Sequence, residues 1–152
     1  GHIPHTAHAQ LETLDIKAFE KIAITVDYSQ TDSKTIQHAL ALGGKTASYH
    51  LIHVVETAGA FVFGKDVDDL EAQSDLKQIE SYIDSLQSKG YNASSAIGYG
   101  NPKKEIVRIT KAFQADLLVM GAHGHRGLKD ILLGTTIDEV RHDLDIPVLV
   151  IK

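Results

Sequence analysis

From Lys21 to the end, short β-prone apolar runs alternate with stretches of helical periodicity, and this alternation limits the chain to very few folds. The first run is Lys21-Ile22-Ala23-Ile24-Thr25-Val26, closed by Asp27. From Ser33 to about Leu42 the spacing of Ile36, Ala39 and Leu40 is helical, with Asp32 or Ser33 as N-cap and Gly43-Gly44 as the stop. Ser48 to Val55 reads as a second strand, and Glu56 to Lys65 as a loop. Asp66 to about Lys89 reads as a long amphipathic helix with Leu76, Ile79, Ile83 and Leu86 on one stripe, ended by Gly90. Asn92 to Gly98 follows as a third strand. Asn101-Pro102 then opens a helix whose apolar face is Ile106, Ile109 and Phe113. Leu117 to Met120 is a fourth strand, Thr135 to about Leu144 a last helix, and Pro147 to Ile151 a fifth strand.

Strands without clean polar alternation, separated by helices, belong to parallel sheets covered on both faces. The expected fold is therefore α/β: an open, mostly parallel five-stranded sheet, Rossmann-like, with helices on both faces. In such sheets a ligand sits at the carboxyl ends of the strands, where the strand order reverses. The loops after the first, second and fourth strands should meet there. Residues 1–18, with His2, His5 and His8, show little periodicity and read as a linker or lead-in; residues 19–152 read as the one domain. Because the chain opens Gly1-His2, it is read as a processed form or as part of a longer protein.

Composition removes several classes of function. The absence of cysteine excludes a disulfide scaffold, a thiolate metal site and a cysteine nucleophile. A net charge of −5 argues against nucleic acid as a partner. No apolar run approaches the ~20 residues of a membrane span, and no signal-peptide pattern opens the chain, so a cytoplasmic location is expected.

The segment after the fourth strand is the most informative. Gly121-Ala122-His123-Gly124 is followed by nine residues and then by Gly134-Thr135-Thr136 at a helix start. Glycines let a ligand approach the backbone closely, and a helix N-terminus offers unpaired N–H donors that suit phosphate. Asp130 or Asp138 could help hold a divalent ion there. Other motifs fail. Gly43-Gly44-Lys45-Thr46 lacks the leading glycine of a P-loop, where Ala39 stands, and it follows a helix. Asp27-Tyr28-Ser29 replaces the dinucleotide glycines after the first strand. Gly98-Tyr99-Gly100 ends the third strand where a phospho-receiver would have an aspartate, and there is no G-x-S-x-G elbow.

With these residues in place the chain resembles the universal stress proteins, whose nucleotide-binding members carry Gly, two residues, Gly, nine residues, Gly, then Ser or Thr. Gly121, Gly124, Gly134 and Thr135 fit that pattern without a gap. The resemblance extends to Ala115–Met120, Pro147–Lys152, the opening Lys21–Ser29 and His53-Val54, about residues 19–152 in all. It implies an adenine nucleotide, ATP or AMP, in the crevice, with Mg²⁺ or Mn²⁺ left open as a companion. Carried over by position, Thr25, Val26 and Asp27 lie by the adenosine, and Val54 offers backbone contacts to adenine. Met120 and Gly121 approach the sugar and phosphates, His123 and Gly124 line the phosphate turn, and Gly134, Thr135 and Thr136 hold the phosphates. Thr135 stands where Ser is common, and Thr25 where some relatives have Pro.

No paired carboxylates or activated nucleophile argue for catalysis, so the expected role is a nucleotide-binding stress-response or regulatory module and not an enzyme. Two alternatives stand beside it: a weak ATPase assisted by His123 or Asp27, and a cytosolic nucleotide-sensing domain fused to a metal-ion transporter. The uncharged strand Val148–Ile151, if it lies at a sheet edge, invites a second copy, so a homodimer is expected.

Overall fold

A computed structural model of the chain describes residues 11–56, 65–122 and 135–152. The histidines of the lead-in, most of the loop between the second strand and second helix, and His123, Gly124, Asp130 and Gly134 lie outside them. The elements are β1 (Lys21–Thr25), α1 (Thr31–Gly43), β2 (Ser48–Val55), α2 (Lys65–Ser88), β3 (Asn92–Tyr99), α3 (Pro102–Phe113), β4 (Leu117–Gly121), α4 (Thr135–Asp143) and β5 (Val148–Ile151). A short 3-10 turn, Leu11–Thr13, precedes them. The five strands form one parallel sheet in the order β3-β2-β1-β4-β5. This is the expected α/β architecture.

The alternation of side chains along each strand divides the core in two. Ile22 and Ile24 of β1, Tyr49 and Leu51 of β2 and Leu117 and Val119 of β4 meet Ala39 of α1 and Ile79 and Leu86 of α2. Ala23, Ile52, Val54, Leu118 and Met120 face the other way, against Ile106 and Ile109 of α3 and Ile137 and Val140 of α4. A sheet buried on both faces has no room for polar alternation, which is why these strands read as apolar runs. Leu76 departs from the expected stripe of α2: it is half-exposed, while Ile79 and Leu86 are buried. Among the described residues no helix is long and apolar enough to cross a membrane.

Local chemistry sets the boundaries. α1 starts at Thr31, earlier than the periodicity predicts, and its N-cap is Gln30, which makes no side-chain capping bond. Asp32 therefore does not cap the helix; it sits inside the first turn with another task, described below. α3 is capped as expected: the Asn101 side chain accepts the Lys104 N–H at 3.0 Å, and Pro102 fills the first helical position. Asn101→Ala should lower stability by about 1 kcal/mol in chemical denaturation, the usual value of such a cap. At the amino end of the sheet, Asp116 pins β1 to β4 by accepting the N–H groups of Glu20 (2.8 Å) and Lys21 (3.0 Å).

Candidate functional site at the carboxyl end of the sheet

The strand order reverses between β1 and β4, and the sheet opens there. β1 pairs with β2 as far as Thr25↔Ile52, and the Val26 N–H still donates to the Ile52 carbonyl at 2.9 Å. Toward β4 its pairing stops earlier, at Ile24↔Val119. β4 continues with β5 to Gly121↔Ile151, and the Ala122 N–H donates to the Ile151 carbonyl at 2.7 Å. The backbones of β1 and β4 thus part beyond Ile24 and Val119, so that Thr25–Asp27 on one side and Met120–Ala122 on the other flank the opening. Crevices of this kind are where open α/β sheets bind ligands.

Asp27 stands at the end of β1, buried. Its Oδ1 accepts the Ser29 N–H at 3.0 Å and the Ser29 hydroxyl at 2.5 Å, while Oδ2 is buried with no hydrogen-bond partner among the described residues. An unsatisfied buried carboxylate oxygen carries the full desolvation penalty unless a donor arrives from outside the chain. The turn after Asp27 is held by Asp32, whose Oδ1 accepts the Asp27 N–H at 3.1 Å and whose Oδ2 accepts the Tyr28 N–H at 2.7 Å.

Tyr28 has φ 65°, a left-handed conformation unusual for a non-glycine residue. Its ring lies 4.1 Å from that of His53, and its hydroxyl donates to the Asp75 carbonyl at 2.7 Å. The buried His53 ring donates from Nδ1 to the Val26 carbonyl at 3.0 Å, because a carbonyl can only accept; its Nε2 is 3.8 Å from Asp75. His53 is thus a packed strand residue. In a parallel ladder alternate residues direct their N–H and C=O to opposite neighbours. Ile52 faces β1 and the Val55 carbonyl faces β3, where it accepts the Gly100 N–H, so Val54 faces β1 again. β1 has ended by then, and the Val26 carbonyl is occupied by the His53 ring. The backbone of Val54 is left directed at the crevice.

Thr25, Val26, Asp27, Val54 and Gly121 therefore gather at the open end of the sheet. Met120 requires a correction. Its place at the strand end suggested a side chain lining the pocket, but that side chain is wholly buried among the α3 and α4 residues, so only its backbone borders the crevice. Gly121 is packed tightly: a Cβ there would stand 3.2 Å from the Thr35 hydroxyl of α1. Thr135 is the first residue of α4 and Thr136, next to it, is buried. The first N–H groups of this helix have no intrahelical acceptor. His123, Gly124 and Gly134 belong to the stretch outside the described residues.

Asp32, Tyr28 and Tyr82 were not anticipated at this end of the molecule. Tyr82 of α2 donates its hydroxyl to Asp32 Oδ2 at 2.7 Å, across fifty positions of sequence. Burial raises the Asp32 carboxyl to about 6, against the pull of the Tyr82 and Asp27 hydrogen bonds and with a further push from the Asp27 charge. The folded chain therefore binds a proton that the unfolded chain, with its ordinary value near 3.8, has already released. This stabilisation is complete below that value and is lost as pH rises through about 6. Denaturation between about pH 4 and 6 should show a declining contribution that Asp32→Asn removes. The only sequence signal for this cluster is an aspartate followed five positions later by another beside a turn; Tyr82 has none.

The chain is thus an α/β domain with a parallel sheet that opens at its switch point, a buried carboxylate just after its first strand and a helix that begins beyond its fourth. The sequence model described as "Universal stress protein family" matches residues 18–152, and the chain belongs to that family. Universal stress protein MJ0577 of Methanocaldococcus jannaschii is 28% identical, over 88% of this chain and 95% of the relative. The solved structure of MJ0577 superposes with a TM-score of 0.75 over 90% of this chain and 97% of the other. An Archaeoglobus fulgidus universal stress protein in complex with dAMP matches at 21% identity and TM-score 0.60, covering 90% of this chain and all of that one. A universal stress protein in complex with cAMP matches at 17% identity and TM-score 0.66, over 90% and 98%. At these last two identities the likeness is one of fold.

Proposed function

We propose that this chain binds an adenine nucleotide, ATP or AMP, in the crevice between the carboxyl ends of β1 and β4, and acts as a cytoplasmic regulatory module in which occupancy is the signal. The observation that carries this reading is Asp27 Oδ2 at the switch point, buried and without a hydrogen-bond partner among the described residues. A carboxylate accepts hydrogen bonds and cannot receive a phosphate. Its complement is a donor on the adenosine, the adenine amino group or a sugar hydroxyl. Backbone groups of Val54 are directed at the same space, and the N-terminus of α4 suits the anionic end of the ligand. The dAMP and cAMP complexes of proteins with this fold agree in ligand class. Among the described residues no cluster of His, Asp and Glu is arranged to hold a metal ion. Calorimetric titration with ATP and AMP tests the reading: saturable heat supports it, and no heat at millimolar nucleotide contradicts it.

The role is binding and not turnover: the His53 Nδ1 proton is committed to a carbonyl, and Asp27 is placed to accept a hydrogen bond. Phosphate release that follows the protein through purification and disappears in Asp27→Ala would instead support the weak ATPase. A second expectation concerns assembly. β5 is an edge of the sheet, and its uncharged residues Val148, Leu149 and Val150 are only partly buried in the single chain. A two-fold copy pairing antiparallel there would satisfy the free edge. Light scattering should give a dimer mass; a monomer at micromolar concentration, with and without nucleotide, contradicts it.

A further inference from the structure

The turn that presents Asp27 is gripped from behind by one buried carboxylate. Asp32 is 4% exposed. It collects three donors: the Asp27 N–H and the Tyr28 N–H from the turn itself, and the Tyr82 hydroxyl from α2. Two of these lie on the residues that turn the chain away from β1, one of them in a left-handed conformation that a tyrosine does not adopt unaided. The third ties the carboxylate to a helix packed against the same face of the sheet. Asp32 thus bonds the backbone of the same turn that carries Asp27 Oδ2, buried and without a partner among the described residues.

We propose that Asp32, anchored by Tyr82, is the positioning residue of the crevice: it holds the Asp27–Tyr28 turn so that the free oxygen of Asp27 is presented to the adenosine of a bound nucleotide. This rests on the adenine-nucleotide reading above. The grip favours a carboxylate, since the two turn N–H groups can only donate and bond a charged acceptor more strongly than a neutral one. A proton on Asp32 weakens both of these bonds and turns one oxygen into a donor, for which the Tyr82 hydroxyl can rotate to accept. The titratable groups facing it are Asp27 and Tyr28 of the turn and Tyr82 of α2; behind Tyr28 stand His53 of β2, Asp75 of α2 and Tyr99 of β3. No lysine or arginine among the described residues contributes to the balance at Asp32, so the proton is governed by burial and by these neighbours.

The test is titration of ATP into the wild-type chain, Asp32→Asn and Tyr82→Phe, each first shown to be folded. Asparagine keeps the size of the side chain but turns an amide donor toward the donors it should accept. At neutral pH, Asp32→Asn should bind about tenfold more weakly and Tyr82→Phe about threefold. The ratio of wild-type to Asp32→Asn affinity should shrink toward one at about pH 5, because the wild type then loses its carboxylate; taking the ratio cancels the protonation of ATP itself. A general loss of packing would weaken Asp32→Asn equally at both pH values, and that result overturns the proposal. So does unchanged affinity in both variants. If Asp32→Asn does not fold, Tyr82→Phe, which loses only a hydroxyl, decides, and wild-type affinity in it overturns the proposal. A wild-type chain that takes up no ATP overturns the crevice reading together with this one. Binding by the wild type and the variants alike overturns only the role of Asp32.

Discussion

Asp27→Ala should weaken ATP or AMP binding by roughly ten- to a hundredfold, the worth of a hydrogen bond to a buried charge. It should do so with little change in the stability of the ligand-free chain. Two effects oppose each other in the empty crevice. The substitution removes the acceptor of the Ser29 N–H and hydroxyl, which loosens the turn. It also removes a buried oxygen with no partner among the described residues, which relieves a desolvation cost. Their sum should lie within about 1 kcal/mol of zero. The variant would then melt near the wild-type temperature without nucleotide and lose most of the upward shift that ATP produces by mass action. A shift of wild-type size in the variant would show that Asp27 does not touch the ligand. A large fall in ligand-free stability would show that it is a structural residue of the turn.

Gly43→Ala has the largest expected effect on the fold. Helix propensity favours alanine at this last residue of α1. The space does not: a Cβ would stand 2.5 Å from the Tyr49 hydroxyl oxygen, 2.7 Å from Ala47 Cβ and 2.7 Å from Ile22 Cδ1. Tyr49 and Ile22 are fully buried and Ala47 nearly so, and the Tyr49 hydroxyl is held by the Gly44 carbonyl at 2.7 Å, so none of the three can step aside cheaply. Overpacking of this kind costs about 3 kcal/mol, which for a domain of this size is a fall in Tm of roughly 6–12 °C. Gly44 is the control. Its φ of 64° disfavours any side chain, but a Cβ there meets nothing within 4 Å. Gly44→Ala should cost only the backbone term, roughly 1–3 kcal/mol. Gly43→Ala at wild-type stability would remove packing at Gly43 as a constraint.

The layered α/β fold was legible because both faces of this sheet are buried. Ile22, Ile24, Leu118 and Val119 need no periodicity analysis beyond their apolar run, and Asn101-Pro102 and Gly44 mark helix ends by local chemistry that acts within a few residues. The site was legible where it depends on the backbone: the glycine at 121 and the strand end before Asp27 follow from position along the chain. What could not be read depends on long-range pairing. Asp32 looks like a helix cap because aspartates near helix starts usually are, but a hydroxyl fifty residues away and two turn N–H groups take its oxygens instead. Met120 looks like a pocket residue because it ends a strand, but the alternation of β4 turns it into the core. Leu76 fits the helical stripe and is half-exposed, because the edge strand β3 beneath it leaves an open groove of about 370 Å³ lined by Ala72, Gln73, Leu76, Ser95, Ala96, Ile97 and Tyr99.

That groove gives the central claim a rival location on the same molecule, and amide chemical-shift mapping during titration with AMP separates the two. Binding in the crevice predicts the largest shifts at the backbone amides of Asp27, Tyr28, Val54 and Gly121, with Ser95 and Ile97 unmoved. Shifts centred on Ser95, Ile97 and Tyr99, or none at saturating AMP, would contradict the account.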